Sequence, residues 1–316
     1  MNEAGSTART ISIIGTGLVG SSWAVVFARA GLSVQAFDAA PGQRARAAQL
    51  IDASLAALGQ AGLLAESVAA VRERITICDS LEAALTGAGY VQESIAESLD
   101  AKRVLFATLD VQTPVDVILA SSTSSFPISA IATGLTGNLR CVVAHPVNPP
   151  HLIPFTEVSG APFTSPAVIE RTLALLRQVG QSPIHVRREV EGFVLNRLQW
   201  SLLAEACRLV DDGVASMDDI DAALRDGLGR RWAFMGPFEV GDLNAPNGLA
   251  DYLTRFGPTI QAIATSRGAQ PVPLTENFLA AAQHSCRQRW PEQQRDTRLA
   301  ARDAKLLAIA KLLRAD

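Results

Sequence analysis

The stretch "ISIIGTGLVGSSWAVVFARAGLSVQAFD" restricts the possible folds more than any other part of the chain. Gly15, Gly17 and Gly20 stand in GxGxxG spacing, directly after a β-branched apolar run and at the head of a helix-like segment from Leu18 to Ala30. A second strand-like run follows and ends in Asp38. The glycines alone would mark only a βα corner; the strand before them, the helix after them and the acid at the next strand end point to a dinucleotide. Gly15 suits a tight turn, Gly17 lets a pyrophosphate approach the backbone, and Gly20 lets helix lie against strand. Phosphates then meet the unpaired N–H groups of the helix start, where Leu18 and Val19 sit. Asp38 is placed to accept hydrogen bonds from an adenosine ribose, and its charge would repel a 2′-phosphate. NAD is therefore the expected cofactor, held by Gly15, Gly17, Leu18, Val19, Gly20 and Asp38. The nearest cation, Arg44, lies inside the next helix, after Pro41.

The alternation continues beyond this motif. "TISIIG", "SVQAFD", "RITICD", "YVQESI", "VILASS" and "RCVVAHP" read as short strands, with helix-like segments such as Leu18 to Ala30 and Leu99 to Val111 between them. "PFTEVSG" and "SPIHVR" extend the series on either side of a helix from Pro166 to Val179. Strands alternating with helices imply right-handed crossovers and a doubly wound, mostly parallel sheet of Rossmann type. After Glu189 the strand signals fade. "EGFVLNRLQWSLLAEACRLVDDG" carries apolar residues at helical spacing up to Gly213, and Ser216 stands as an N-cap before acids that suit a first turn. Further helices are punctuated by "GPF", "NAPNG" and "QPVPL". The reading is α/β: a dinucleotide-binding domain over 1–187, followed by an all-α domain over 188–316.

Totals remove several classes of function. A chain of 316 residues with a net charge of -3 offers no basic surplus for nucleic acid. No apolar run approaches the roughly 20 residues of a membrane span. The polar start "MNEAGSTART" has no signal core, so a cytoplasmic location is expected. Cys78, Cys141, Cys207 and Cys286 are scattered without metal-like spacing, so no metal is expected. The helix after Gly192 is apolar enough to be covered by a second copy, and a homodimer through the helical domain is expected.

In "VVAHPVNPPHLIPFTEV" an apolar run delivers His145 into prolines, and Glu157 stands in the next strand-like segment. Taken alone, the pattern fits a core histidine with a solvated glutamate as well as a proton-transfer pair on a stiff scaffold. "ASSTSSFPIS", "AHPVNPPHLIPFTEV" and "EGFVLNRLQ", in that order behind the glycine loop, resemble the L-3-hydroxyacyl-CoA dehydrogenase superfamily. "AHPVNPP", "GFVLNRLQ", "DGLG" and "AFMGPFE" resemble its lambda-crystallin branch. The resemblance covers nearly the whole chain. It implies NAD-dependent oxidation of a secondary alcohol β to a carboxyl or thioester, and a dimer formed by the helical domain. It also implies His145 as catalytic base, Glu157 as its partner, and Ser124 and Asn196 as the residues holding the substrate oxygen. Glu97 and Lys102 match positions lining the nicotinamide end. Ser122 departs from the asparagine usual in the fatty-acid enzymes.

These residue types suit the chemistry. Hydride leaves carbon only as the hydroxyl proton departs, so a base that titrates near neutrality is useful. A carboxylate on the far imidazole nitrogen fixes the tautomer and stabilises imidazolium. Pro146, Pro149 and Pro150 stiffen the intervening loop. The segment from Gln43 to Arg74, which by the resemblance stands where the fatty-acid enzymes carry a lysine-bearing helical arm, has no lysine, only Arg44, Arg46, Arg72 and Arg74, and this departure favours a small free acid over a phosphate-bearing CoA thioester. Arg231, beside Arg230, is the preferred partner for that acid's carboxylate. L-gulonate is the substrate the branch resemblance implies. L-3-hydroxybutyryl-CoA or L-carnitine oxidation, and a non-catalytic structural or redox-sensing role, are the alternatives. His151, His185 and His284 read as surface or packing residues, and Trp200 and Trp232 as packing rather than stacking residues.

Overall fold

Each of the eight apolar runs forms a strand of one sheet: β1 (Thr10–Ile14), β2 (Val34–Phe37), β3 (Ile75–Ile77), β4 (Ala88–Glu93), β5 (Ile118–Ser121), β6 (Cys141–Pro146), β7 (Phe155–Ser159) and β8 (Ser182–Val186). The computed structural model describes residues 10–266, 275–277, 280, 284, 288 and 291–312. The polar start over 1–9, the "QPVPL" break and Cys286 lie outside the described residues. Strand order is β3-β2-β1-β4-β5-β6-β7-β8. All neighbours are parallel except β6 and β7, which are antiparallel. From β1 the chain winds outward through β2 and β3, then crosses back to β4. The carboxyl ends of β1 and β4 therefore flank the topological switch, where an open α/β sheet leaves a crevice for ligands.

Strand residues alternate between two cores, as a pleat of period two requires. On one face Ile11, Ile13, Tyr90, Ala120 and Ala144 pack with Trp23 and Phe27 of α1 (Leu18–Arg29), Leu55 of α2 (Pro41–Gln60) and Leu176 of α7 (Pro166–Gln178). On the other, Ile14, Val91, Leu119 and Val143 pack with Ala84 of α4 (Leu81–Leu85), Phe106 and Leu109 of α5 (Leu99–Gln112) and Ile131 of α6 (Ile128–Ala132). The short α3 (Val68–Glu73) precedes β3. Each large apolar side chain so buried contributes roughly 1.5–3 kcal/mol. The same alternation sets the polar positions. Glu93, Ser121 and His145 fall on the face of Val91, Leu119 and Val143, and Gln92 falls on the face of Tyr90 and Trp23.

Contacts divide the chain into Met1–Arg197 with Leu299–Asp316, and Leu198–Arg298. The first unit thus ends ten residues beyond the expected boundary at 187 and takes back the C-terminus. Leu306, Leu307 and Ala310 of the last helix, α13 (Arg295–Leu312), pack against the α1–α2–α7 core. The expectation of one unbroken helical domain over 188–316 is corrected there. Helical spacing reveals an apolar stripe but not which body the stripe covers.

The second unit carries most of α8 (Leu195–Asp211), then α9 (Met217–Ala222), a π-helical turn (Ala223–Leu228), α10 (Gly229–Trp232), α11 (Pro237–Leu243) and α12 (Gly248–Ser266). Ser216 caps α9 as expected, its hydroxyl accepting from Asp219 N while the Asp219 carboxylate accepts from Ser216 N. Helices α11 and α12 pack closely where Gly241 meets Leu249 and Tyr252; a Cβ on Gly241 would lie 2.9 Å from Leu249. Among its described residues, α12 buries none, and Leu203 on α8 and Ile263 on α12 are 59% and 60% exposed.

Candidate active site

The glycine turn closes between β1 and α1, each glycine for its own reason. Gly15 adopts φ +92°, and a Cβ there would meet Ser94 and Ile95 backbone at 2.6 Å. A Cβ on Gly20 would lie 1.9 Å from the Gly15 carbonyl oxygen, so the helix touches the turn. Nothing lies within 4 Å of a Cβ on Gly17, which leaves open backbone at the start of α1 for a pyrophosphate. Leu18 and Val19 open the helix, Leu18 exposed and Val19 half-buried. Asp38 follows β2 and accepts from Thr16 N at 2.8 Å and Ala40 N at 3.0 Å, which fixes its carboxylate beside the turn. Arg44 donates to the Asp38 carbonyl at 2.7 Å and lies over the Phe37 ring. These residues fit a dinucleotide.

Past the end of β4 a second cluster forms, one the sequence revealed only in part. Glu93, the last residue of β4, is fully buried and pairs with Lys102 of α5 at 2.8 Å. It also accepts from the Ser121 hydroxyl and from Ile95 N. Burial pushes the Glu93 carboxyl above its ordinary range, against the pull of the Lys102 charge and these hydrogen bonds. Lys102 is itself buried, with its ammonium 3.3 Å from Glu97 on the other side. Its charge is therefore shared between two carboxylates and is not an open cation. Glu97 accepts from the Thr123 hydroxyl at 2.7 Å, Ser124 N at 2.9 Å and Ser125 N at 3.0 Å. Burial alone would raise the Glu97 carboxyl, but the Thr123 hydrogen bond, the Lys102 charge and the Ser124 N–H outweigh it and hold it below the usual range. Glu97 thereby organises the turn that carries Ser124. The available signal for Glu93 was an acid closing a strand directly after Gln92, behind the apolar Tyr90 and Val91.

His145 and Glu157 face one another across the antiparallel β6–β7 pair in direct register. Their separation of twelve residues is what that pairing requires: Ala144 opposes Val158 and Pro146 opposes Thr156. Directly opposed side chains share a face with Cβ atoms roughly 4.5–5.5 Å apart. The imidazole Nδ1 lies 2.9 Å from Glu157 Oε2, and both residues are buried. A carboxylate only accepts, so Nδ1 carries a hydrogen, and in the neutral imidazole Nε2 then presents a lone pair. The other carboxylate oxygen, Oε1, accepts from Val194 N at 2.8 Å and Leu195 N at 2.9 Å. These are orphan N–H groups at the start of α8, where the helix dipole also favours negative charge. Phe193, at φ +47°, turns the chain into that position, and its ring lies 5.7 Å from the imidazole.

Asn196, directly after Leu195, is buried on the same turn and donates through Nδ2 to the Ser124 carbonyl at 3.0 Å. One helix start thus ties Glu157 to Ser124, and through them all four expected catalytic positions belong to one bonded set. Arg231, with Arg230, lies exposed on α10 in the second unit. Ser122 follows β5 and contacts Trp23, Gln92 and Ser94. Of the remaining histidines, His185 and His284 are exposed, whereas His151 is largely buried against Ser22 of α1 at 2.8 Å. Trp200 and Trp232 are partly exposed in the single chain, at 48% and 42%.

The chain is similar to known proteins along most of its length. The NAD-binding domain of 3-hydroxyacyl-CoA dehydrogenase matches residues 10–190, and the C-terminal domain of the same family matches 192–287. Lambda-crystallin from Oryctolagus cuniculus is 43% identical over 85% of this chain and 84% of its own length. An L-carnitine dehydrogenase from Streptomyces griseus is 42% identical over 80% of this chain and 75% of its own length. The crystal structure of an NAD+-dependent dismutase, FHMPC 5-dehydrogenase, superposes with a TM-score of 0.84 at 28% identity, covering 98% of this chain and 99% of that one. The chain belongs to the 3-hydroxyacyl-CoA dehydrogenase family, in its lambda-crystallin branch, and is an NAD-dependent dehydrogenase acting on a hydroxyl group.

Proposed function

We propose that the protein oxidises the 3-hydroxyl of a small free hydroxy acid, with L-gulonate giving 3-dehydro-L-gulonate. The observation that carries this reading is the 2.9 Å bond between His145 Nδ1 and Glu157. His145 Nε2 takes the proton from the substrate hydroxyl, and Glu157 stabilises the imidazolium that results. Ser124 and Asn196 orient the alcohol oxygen and favour the charge that develops on it. Glycines 15, 17 and 20, with Leu18, Val19 and Asp38, hold the dinucleotide, and Glu97 and Lys102 shape the wall of the nicotinamide end. When bound, NAD supplies the acceptor for the hydride that leaves the carbinol carbon.

Two features support a free acid. The segment from Gln43 to Arg74 has no lysine for a CoA phosphate. Arg231 is available on α10 to take a carboxylate through its planar fork. L-carnitine is the second reading, favoured by the 42% identity to an L-carnitine dehydrogenase. We also propose a homodimer formed through the second unit, supported by the apolar faces that α8 and α12 leave uncovered. Purified protein with NAD and a panel of L-gulonate, L-carnitine, L-3-hydroxybutyrate and L-3-hydroxybutyryl-CoA tests the substrate. NADH formation with the highest kcat/KM on L-gulonate is expected. A preference for L-carnitine would select the second reading, and turnover of the CoA thioester alone would contradict both.

A further inference from the structure

Ser122 Oγ has three close neighbours: Trp23 Nε1 at 3.2 Å, Gln92 Nε2 at 2.7 Å and Ser94 Oγ at 2.8 Å. Chemistry fixes the direction of every hydrogen in this set. An indole N–H can only donate. The Gln92 amide is oriented by the Tyr90 hydroxyl on Oε1 at 2.7 Å and by the Ala144 carbonyl facing Nε2 at 3.2 Å. Gln92 Nε2 is therefore a donor too. Both lone pairs of the Ser122 oxygen are used, and its own hydrogen goes to Ser94 Oγ. Ser94 accepts that hydrogen, and its own O–H has no acceptor among the described residues. Reversing the relay would bring three donors to the two lone pairs of the Ser122 oxygen and leave a buried N–H of Trp23 or Gln92 without an acceptor, so the direction is locked.

The place of Ser94 identifies what it faces. Its N–H donates to the Ile14 carbonyl at 2.7 Å, and its carbonyl lies 2.6 Å from where a Cβ on Gly15 would stand. Ser94 is therefore at the topological switch, on the β4 side of the glycine turn. Asp38 marks the adenosine side, at the end of β2 across β1. A dinucleotide laid across the switch brings its second mononucleotide over the ends of β4 and β5, the strands that Ser94 and Ser122 directly follow.

We propose that Ser94 is a cofactor-binding residue whose hydroxyl, oriented by the Trp23–Gln92–Ser122 relay, donates to an acceptor oxygen on the nicotinamide-side mononucleotide of NAD. Ser122 is a positioning residue that acts through Ser94. This explains how the position usually held by asparagine in the fatty-acid enzymes is used here: the serine passes a hydrogen bond onward. The inference rests on NAD binding and is independent of the substrate reading.

Ser94→Ala tests it in the full-length protein. Its NADH Kd, read by fluorescence titration, is expected to rise about three- to tenfold, the usual worth of one net hydrogen bond. Its AMP Kd, read by calorimetry, is expected to stay unchanged, because AMP reaches only the Asp38 side. Unchanged NADH affinity would overturn the proposal, and so would equal weakening of NADH and AMP, which marks a general structural effect. For the relay, Ser94→Ala combined with Ser122→Ala should bind NADH no more weakly than Ser94→Ala alone. Additive losses would mean that Ser122 does not act through Ser94.

Discussion

His151 shows how a histidine outside the proposed catalytic set acquires a defined protonation state. Its Nδ1 faces the Ser22 hydroxyl, and its carbonyl accepts from Arg29 at 2.8 Å. Burial, then the neighbouring Arg29 charge, pushes the imidazole from 6.5 down to about 4. The unfolded chain therefore binds this proton at a pH where the folded chain still refuses it. Stability from this site is intact above pH 6.5 and is lost as pH falls toward 4, by up to about 3 kcal/mol. Urea unfolding of the wild type and His151→Gln at pH 7 and pH 4.5 should show a smaller acid loss in the variant. Equal losses would mean that His151 titrates normally. The sequence showed this residue only as a histidine after two prolines, because a shift of this kind depends on partners more than a hundred positions away.

At the scale of elements, the site is the product of one strand pair and one helix start. β6 and β7 set His145 against Glu157, and the first amides of α8 hold the far carboxylate oxygen. Glu157→Gln replaces one acceptor oxygen by a donor among groups that all donate. A turnover loss of about 10³–10⁴ is expected, by analogy with removing the carboxylate from a catalytic triad. Faster hydrogen exchange at the Val194 and Leu195 amides should accompany it. Unaltered exchange there would show that Glu157 does not anchor α8. All eight strands were legible because period-two apolar runs stand between turn residues. The register was not legible: the alternation implied a mostly parallel sheet but not that β7 would reverse beside β6. The family resemblance pointed to His145 and Glu157, which the residue pattern alone left open, whereas Glu93 and Gln92 escaped notice. A buried polar residue within a strand becomes significant only through what lies opposite, here Lys102, Ser121 and Ser122. Helix α8 begins at Leu195 and not at Gly192, because Phe193 takes a left-handed turn to aim two N–H groups at Glu157.

For the whole molecule, the sheet unit holds the proposed cofactor cradle and the proposed base, while the second unit carries helices whose apolar side chains stay exposed among the described residues. Leu198, Trp200, Leu203, Phe256, Ile260 and Ile263 are all exposed in the single chain. Burying such faces against a second copy removes the cost of wetting them. Light scattering at micromolar concentration should give twice the chain mass, and a monomeric mass would contradict the proposed dimer. The domain order was legible from where strand signals stop, but the return of α13 to the sheet unit was not. The central claim is that one imidazole, oriented by one carboxylate, removes the substrate proton. His145→Gln tests it most directly when turnover and NADH affinity are measured on the same preparation. The expected result is an unchanged NADH Kd with kcat lowered by about 10²–10⁴; turnover within a few-fold of wild type would contradict it.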